Sequence, residues 1–128
     1  MRAVYLDVSN NAKPAIIDLK DDLNEFYKLI KCDCIDIVSR KIGNKYYDII
    51  CDDNGLLVNR PVVSAIDILN NPALVGNLLI VGEPTACGEM TELSTEEAKM
   101  ICDNTCLCQR LTEKGLQFYW VLRLNHCF

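Results

Sequence analysis

Eight cysteines and a single histidine are the residues of this 128-residue chain whose types could do chemistry. They fall at Cys32-Asp33-Cys34, Cys51, Cys87, Cys102, Cys106, Cys108 and the terminal pair His126-Cys127. Tetrahedral zinc needs four thiolate or imidazole groups converging, usually delivered as two pairs about two to four residues apart. A C-x-C pair in a strand would point both sulfurs to one face, so a zinc-stabilised structural or regulatory module is one reading. No C-x-x-C pair occurs, however, and small buried thiols filling core gaps account for the same cysteines more simply. No metal and no cofactor is assigned. A cysteine nucleophile would want a histidine base, and His126 stands two residues from the end, where chains are usually mobile. The expected activity is binding, with no catalytic residue.

Recognition chemistry has two other candidates. In Asn59-Arg60-Pro61 the Arg offers a planar fork of donors suited to carboxylate or phosphate, and Pro fixes the loop presenting it. An exposed Arg paired with an Asp is the plainer alternative. In Phe118-Tyr119-Trp120-Val121-Leu122-Arg123, strand alternation puts Phe118 and Trp120 on one face and Tyr119, Val121 and Arg123 on the other, one set for the core and one for a partner. If Arg, Asn and aromatic groups converge on a ligand cavity, the residues to test are Asn59, Arg60, Asn77, Tyr119 and Arg123. Asp52-Asp53-Asn54-Gly55 lacks the alternating oxygen ligands and closing Glu of a calcium loop and reads as a solvated turn. Gly82 to Gly88 lacks the Lys-Ser/Thr of a phosphate loop and reads as a mobile surface loop.

The elements that must position these residues follow from turn chemistry and period. Ala3 to Val8 and Ala15 to Leu19 flank Ser9-Asn10-Asn11-Ala12-Lys13-Pro14, an opening hairpin. From Asp21 the period becomes helical, with Leu23, Phe26, Tyr27 and Ile30 on one side and two acids at the positive end of the dipole. Ile35 to Lys41 and Lys45 to Cys51 flank Gly43-Asn44, a pair able to take the positive φ of a tight hairpin. Val62 to Ile66 suits either a short edge strand or a helical turn. Leu74 to Val81 reads as one central strand, apolar on both faces. Ser94-Thr95-Glu96-Glu97 has the spacing of a capping box and predicts a second helix carrying Ala98 and Ile101. Cys106 to Arg110 and Leu116 to Leu124 close the chain as a third hairpin around Thr112-Glu113-Lys114-Gly115. The whole predicts a single α+β domain spanning residues 1–128, a curved and largely antiparallel sheet with two helices.

Composition bounds the rest. Half the residues are apolar and about a quarter charged, which is ordinary for a globular domain. No run approaches the roughly 18 to 20 apolar residues of a membrane-spanning helix, and Asp7 interrupts any signal-peptide core. A cytoplasmic protein with reduced thiols is expected. The formal charge of −5 is mild and the basic residues are scattered, so neither a nucleic-acid partner nor a DNA mimic is favoured.

The order of the pieces resembles a known family. A hairpin, a helix and a strand pair run into Asp52-Asp53-Asn54-Gly55-Leu56-Leu57, followed by Asn59-Arg60-Pro61, Ser64-Ala65-Ile66-Asp67, Leu74 to Val81 and Leu93-Ser94-Thr95-Glu96-Glu97. This combination is similar to family 3846 of the domains of unknown function, small proteins of phages, plasmids and integrative elements of Firmicutes. The resemblance covers about residues 3 to 101 and supplies no catalytic residue. It implies a mobile-element accessory protein, expected to interfere with a host process, antiviral defence. Two mechanisms fit: occlusion of a host defence protein, or sequestration of a nucleotide-derived signalling molecule in a pocket between subunits. The exposed faces of the last hairpin suit a homodimer.

Overall fold

The computed structural model describes residues 1–7, 14–32, 34–42, 45–53, 63–66, 72–112 and 115–123. The chain runs β1 (Arg2–Leu6), β2 (Ala15–Asp18), α1 (Leu23–Ile30), β3 (Ile35–Ile42), β4 (Lys45–Asp52), β5 (Val63–Ile66), β6 (Pro72–Val75), β7 (Leu78–Val81), α2 (Thr95–Asp103), β8 (Thr105–Thr112) and β9 (Gly115–Arg123). This is the α+β architecture expected, with two helices and almost wholly antiparallel pairing. The strands divide between two sheets. Five form an antiparallel sheet in the order β2-β1-β7-β4-β3, and four form a second in the order β6-β5-β9-β8, where β5 and β9 run parallel.

Each local signal has a visible cause. Asp22 caps α1, its carboxylate accepting from the Asn24 N–H at 3.0 Å, and Phe26 and Ile30, one turn apart, are its buried residues. Ser94 caps α2 in a reciprocal box: its hydroxyl accepts from Glu97 N–H, and the Glu97 carboxylate accepts from Ser94 N–H, both at 3.0 Å. The β3–β4 ladder runs without a slip from Ile35 opposite Asp52 to Ile42 opposite Lys45, leaving Gly43-Asn44 as the two-residue connection. Val63–Ile66, open as strand or helical turn from its sequence, is a strand.

One prediction from the sequence is overturned. Leu74 to Val81 is not one strand: Gly76, at φ 81°, reverses the chain, so β6 joins the second sheet while β7 enters the centre of the first. Glycine takes this left-handed conformation without the steric cost a Cβ would bring. Of the Gly82 to Gly88 segment, Gly82 is buried at the end of β7 and the rest is a largely exposed loop tied by Thr85, whose carbonyl accepts from Gly88 N–H and whose hydroxyl accepts from Glu89 N–H.

The centre of the five-stranded sheet is buried on both faces. Val4, Leu6, Tyr47, Ile49, Leu78 and Ile80 pack with Leu93, Ala98 and Ile101 on the α2 side, joined by Leu74 of the second sheet. Ala3, Ile50, Leu79 and Val81 pack with Leu19, Phe26 and Ile30 on the α1 side. All four β7 side chains are inaccessible, which is why this stretch shows no alternation. Gly82 closes β7 where a Cβ would come 2.5 Å from Thr91 Oγ1 and 2.7 Å from the Glu92 carbonyl oxygen. Gly82→Ala is therefore expected to destabilise the fold by about 1–3 kcal/mol, measured by urea unfolding.

Candidate functional site

Of the residues singled out for ligand binding, Asn59 and Arg60 lie outside the described residues. Tyr119 and Arg123 lie in β9, in register with Cys108 of β8 and Ile66 of β5 respectively. Asn77 sits in the β6–β7 turn and is 5% exposed. Its amide donates to the Leu29 carbonyl at 3.1 Å and to the Tyr5 hydroxyl at 3.4 Å, and Tyr5 donates to the same carbonyl at 2.6 Å. That carbonyl belongs to the last turn of α1, where no later helical N–H is available to it. Burial, then the charge of Asp7, pushes the Tyr5 phenol up to about 12, so it stays a donor. The Asn77 amide thus ties the junction of the two sheets to α1.

A second polar cluster joins α2 to β4. Glu97, besides capping its own helix, pairs with Lys45 Nζ at 3.2 Å and neighbours Tyr47. Burial and then the hydrogen bond with Glu97 push Tyr47 up to about 12. The bonds that Glu97 accepts, first from the Ser94 backbone, hold its carboxyl below the usual range against the opposing effect of burial.

The cysteines are divided. Cys32 packs against the α1-side core, while Cys51 belongs to the α2-side core and Cys102 packs against it, with the sheet between. Cys34 and Cys87 are exposed. Burial pushes the Cys51 thiol up to about 11, and the thiol faces the Asp36 carbonyl at 3.6 Å. Burial also raises Cys102. Both are held as thiols, the form that packs as a small hydrophobe and not the thiolate of a nucleophile. Among the described residues no three Cys, His, Asp or Glu side chains gather as a metal site requires. Cys106 and Cys108 lie in β8, and His126 and Cys127 outside the described residues.

The side chains that do assemble into an open surface were not singled out from the sequence. On the α1 side of the sheet, the β3–β4 register places Ile37 opposite Ile50, Ser39 opposite Asp48 and Lys41 opposite Tyr46. Ile50 is covered, but Ile37 and Tyr46 remain 46% and 54% exposed, and Ser39 and Lys41 are exposed too. Asp48 lies among them, half-buried beside Val81 of β7. Burial raises its pKa, and none of the ion pairs among the described residues includes it. Ile37, Tyr46, Ser39 and the Lys41 ammonium thus surround a carboxylate that enters none of those ion pairs, a mixed surface of the kind that meets a partner. The available signal was Asp48 alone, an acid in an otherwise apolar run.

The family model for the domain of unknown function DUF3846 matches residues 1–105. The chain belongs to this family. No curated protein and no solved structure matches it. The family match ends at the first residue of β8, so Tyr119 and Arg123 lie beyond it, while Asn77 and the β3–β4 surface lie within.

Two outcomes test these assignments. Asn77→Ala should cost about 1–3 kcal/mol in urea unfolding, because it empties a buried polar site that Tyr5 alone then serves. Asp48 is more easily protonated folded than unfolded, so its charge opposes folding above the raised folded pKa, and the penalty fades as pH falls through that pKa. Asp48→Asn should therefore raise Tm at pH 7, with the gap narrowing in a thermal-melt series toward acid.

Proposed function

We propose that this protein works by binding and not by turnover, and that its open β3–β4 surface occludes a protein partner. The observation that carries the reading is the half-buried Asp48, in no ion pair among the described residues and flanked by exposed Ile37 and Tyr46. A partner that lays an apolar side chain against these two and offers a Lys or Arg to Asp48 would relieve the cost of burying that charge. The net charge of −5 favours such a basic contact. The thiol state of Cys51 and Cys102 supports a non-catalytic role.

The partner we propose is a component of a bacterial host's antiviral defence, in keeping with the likeness to mobile-element proteins, and the site of action is the cytoplasm. Of the two mechanisms, occlusion is favoured over sequestration of a nucleotide-derived signal because the Asn77 amide already serves Leu29 and Tyr5.

Phage plating on bacteria carrying single defence systems tests this directly. Expression of the protein should restore plaques in at least one system. A Tyr46→Ala, Asp48→Arg variant of unchanged Tm should lose that rescue by about tenfold or more, as expected when central contacts are removed. Rescue that survives the double substitution would place the contact elsewhere, and the absence of rescue in every system would sink the anti-defence reading.

A further inference from the structure

The outer edge of β3 is self-complementary. β3 ends the five-stranded sheet in the order β2-β1-β7-β4-β3, and no strand among the described residues pairs with its outer side. Which backbone groups point outward can be read from their side-chain caps. The Ile37 N–H donates to the carboxylate of Asp36 at 2.9 Å, and the Ser39 carbonyl accepts from Arg40 Nη1 at 3.0 Å. Cys34 at an even position instead offers its carbonyl to Asp53 N–H, on the β4 side. The odd residues of β3 therefore present N–H and C=O to the open edge, while the even ones pair with β4.

A second copy related by a two-fold axis at Val38 matches this edge group for group. In that antiparallel register Ile37 faces Ser39 of the second copy, so the Ile37 N–H meets the Ser39 carbonyl, and each replaces the side chain now capping it. The released side chains then meet. Asp36 comes opposite Arg40 of the second copy on both sides of the axis, with the two Val38 residues between them. Within one chain Asp36 and Arg40 are four residues apart, about 13 Å along a strand, too far to pair, and neither takes part in an ion pair among the described residues. Across the axis they occupy directly opposed positions at about 4.5–5.5 Å between Cβ atoms. On the other face the two exposed Ile37 side chains become diagonal neighbours.

We propose that the protein forms a homodimer through β3, joining two five-stranded sheets into one of ten strands with reciprocal Asp36–Arg40 pairs. In the monomer the caps on Ile37 and Ser39 protect the edge from indiscriminate pairing. Only a strand with Asp and Arg in mirrored order compensates for their loss, and this chain is such a strand. The dimer does not depend on the defence reading, and its test reads oligomeric state alone.

Sedimentation equilibrium of the full chain with two charge reversals decides it. The native protein should dimerise, and Asp36→Arg or Arg40→Asp alone should each weaken association by about tenfold or more, since opposed like charges replace both pairs. Both variants should keep the native far-ultraviolet circular dichroism spectrum, and at concentrations low enough to dissociate the native dimer all three should melt alike. Mixed in equal amounts they should form a one-to-one heterodimer, because each chain then supplies the charges the other lacks. A native protein that is monomeric at every soluble concentration overturns the proposal, as does a dimer indifferent to both reversals. Weakened singles that fail to combine overturn the Val38 register.

Discussion

The burial of β7 is the constraint on which the rest of the structure depends. Four residues, Leu78–Val81, lie antiparallel to β1 on one side and β4 on the other, with no side chain reaching solvent. Their burial is worth roughly 6–12 kcal/mol before entropy is counted, comparable with the whole net stability of a small domain. Both cores exist because this strand has two apolar faces, Leu78 and Ile80 toward α2, Leu79 and Val81 toward α1. Its ends are fixed by glycines for different reasons. Gly76 supplies a left-handed reversal, and Gly82 leaves room for the backbone of the segment at Thr91 and Glu92.

Around this strand, conspicuous polar residues serve the architecture. Asn77 and Tyr5 satisfy one carbonyl at the end of α1, and Glu97 joins a helix cap to Lys45 and Tyr47 of β4. Such groups look like recognition chemistry in a sequence because recognition and core satisfaction call for the same donors and acceptors. What distinguishes Asp48 is the opposite condition, half-burial with no ion pair among the described residues, and it lies where α1 leaves the β3–β4 end of the sheet uncovered.

The local elements were legible because their signals are short-range. Asp22 and the Ser94–Glu97 box mark helix starts whatever lies around them, and two strand-forming runs separated by Gly-Asn in the sequence mark the β3–β4 pair. Leu74 to Val81 misled for a physical reason. A strand buried on both faces lacks the two-residue period, so nothing showed that Gly76 would divide the run between two sheets. The open surface was equally hidden: Tyr46 and Tyr47 are adjacent and chemically alike, yet one is 54% exposed and the other 2%.

The sequence by itself therefore determined the helices, the hairpins, the absence of a long apolar helix among the described residues and, through residues 1–105, the family. These properties reside in neighbouring residues or in their order, and both survive without a tertiary fold. Only the tertiary structure decided which strand lies at the centre, which cysteines fall on opposite sides of the sheet, and that β3 is an edge whose Asp36 and Arg40 cap their own backbone. Those properties depend on contacts between segments far apart in the chain, where the same residue types can be core, cap or surface according to what packs against them.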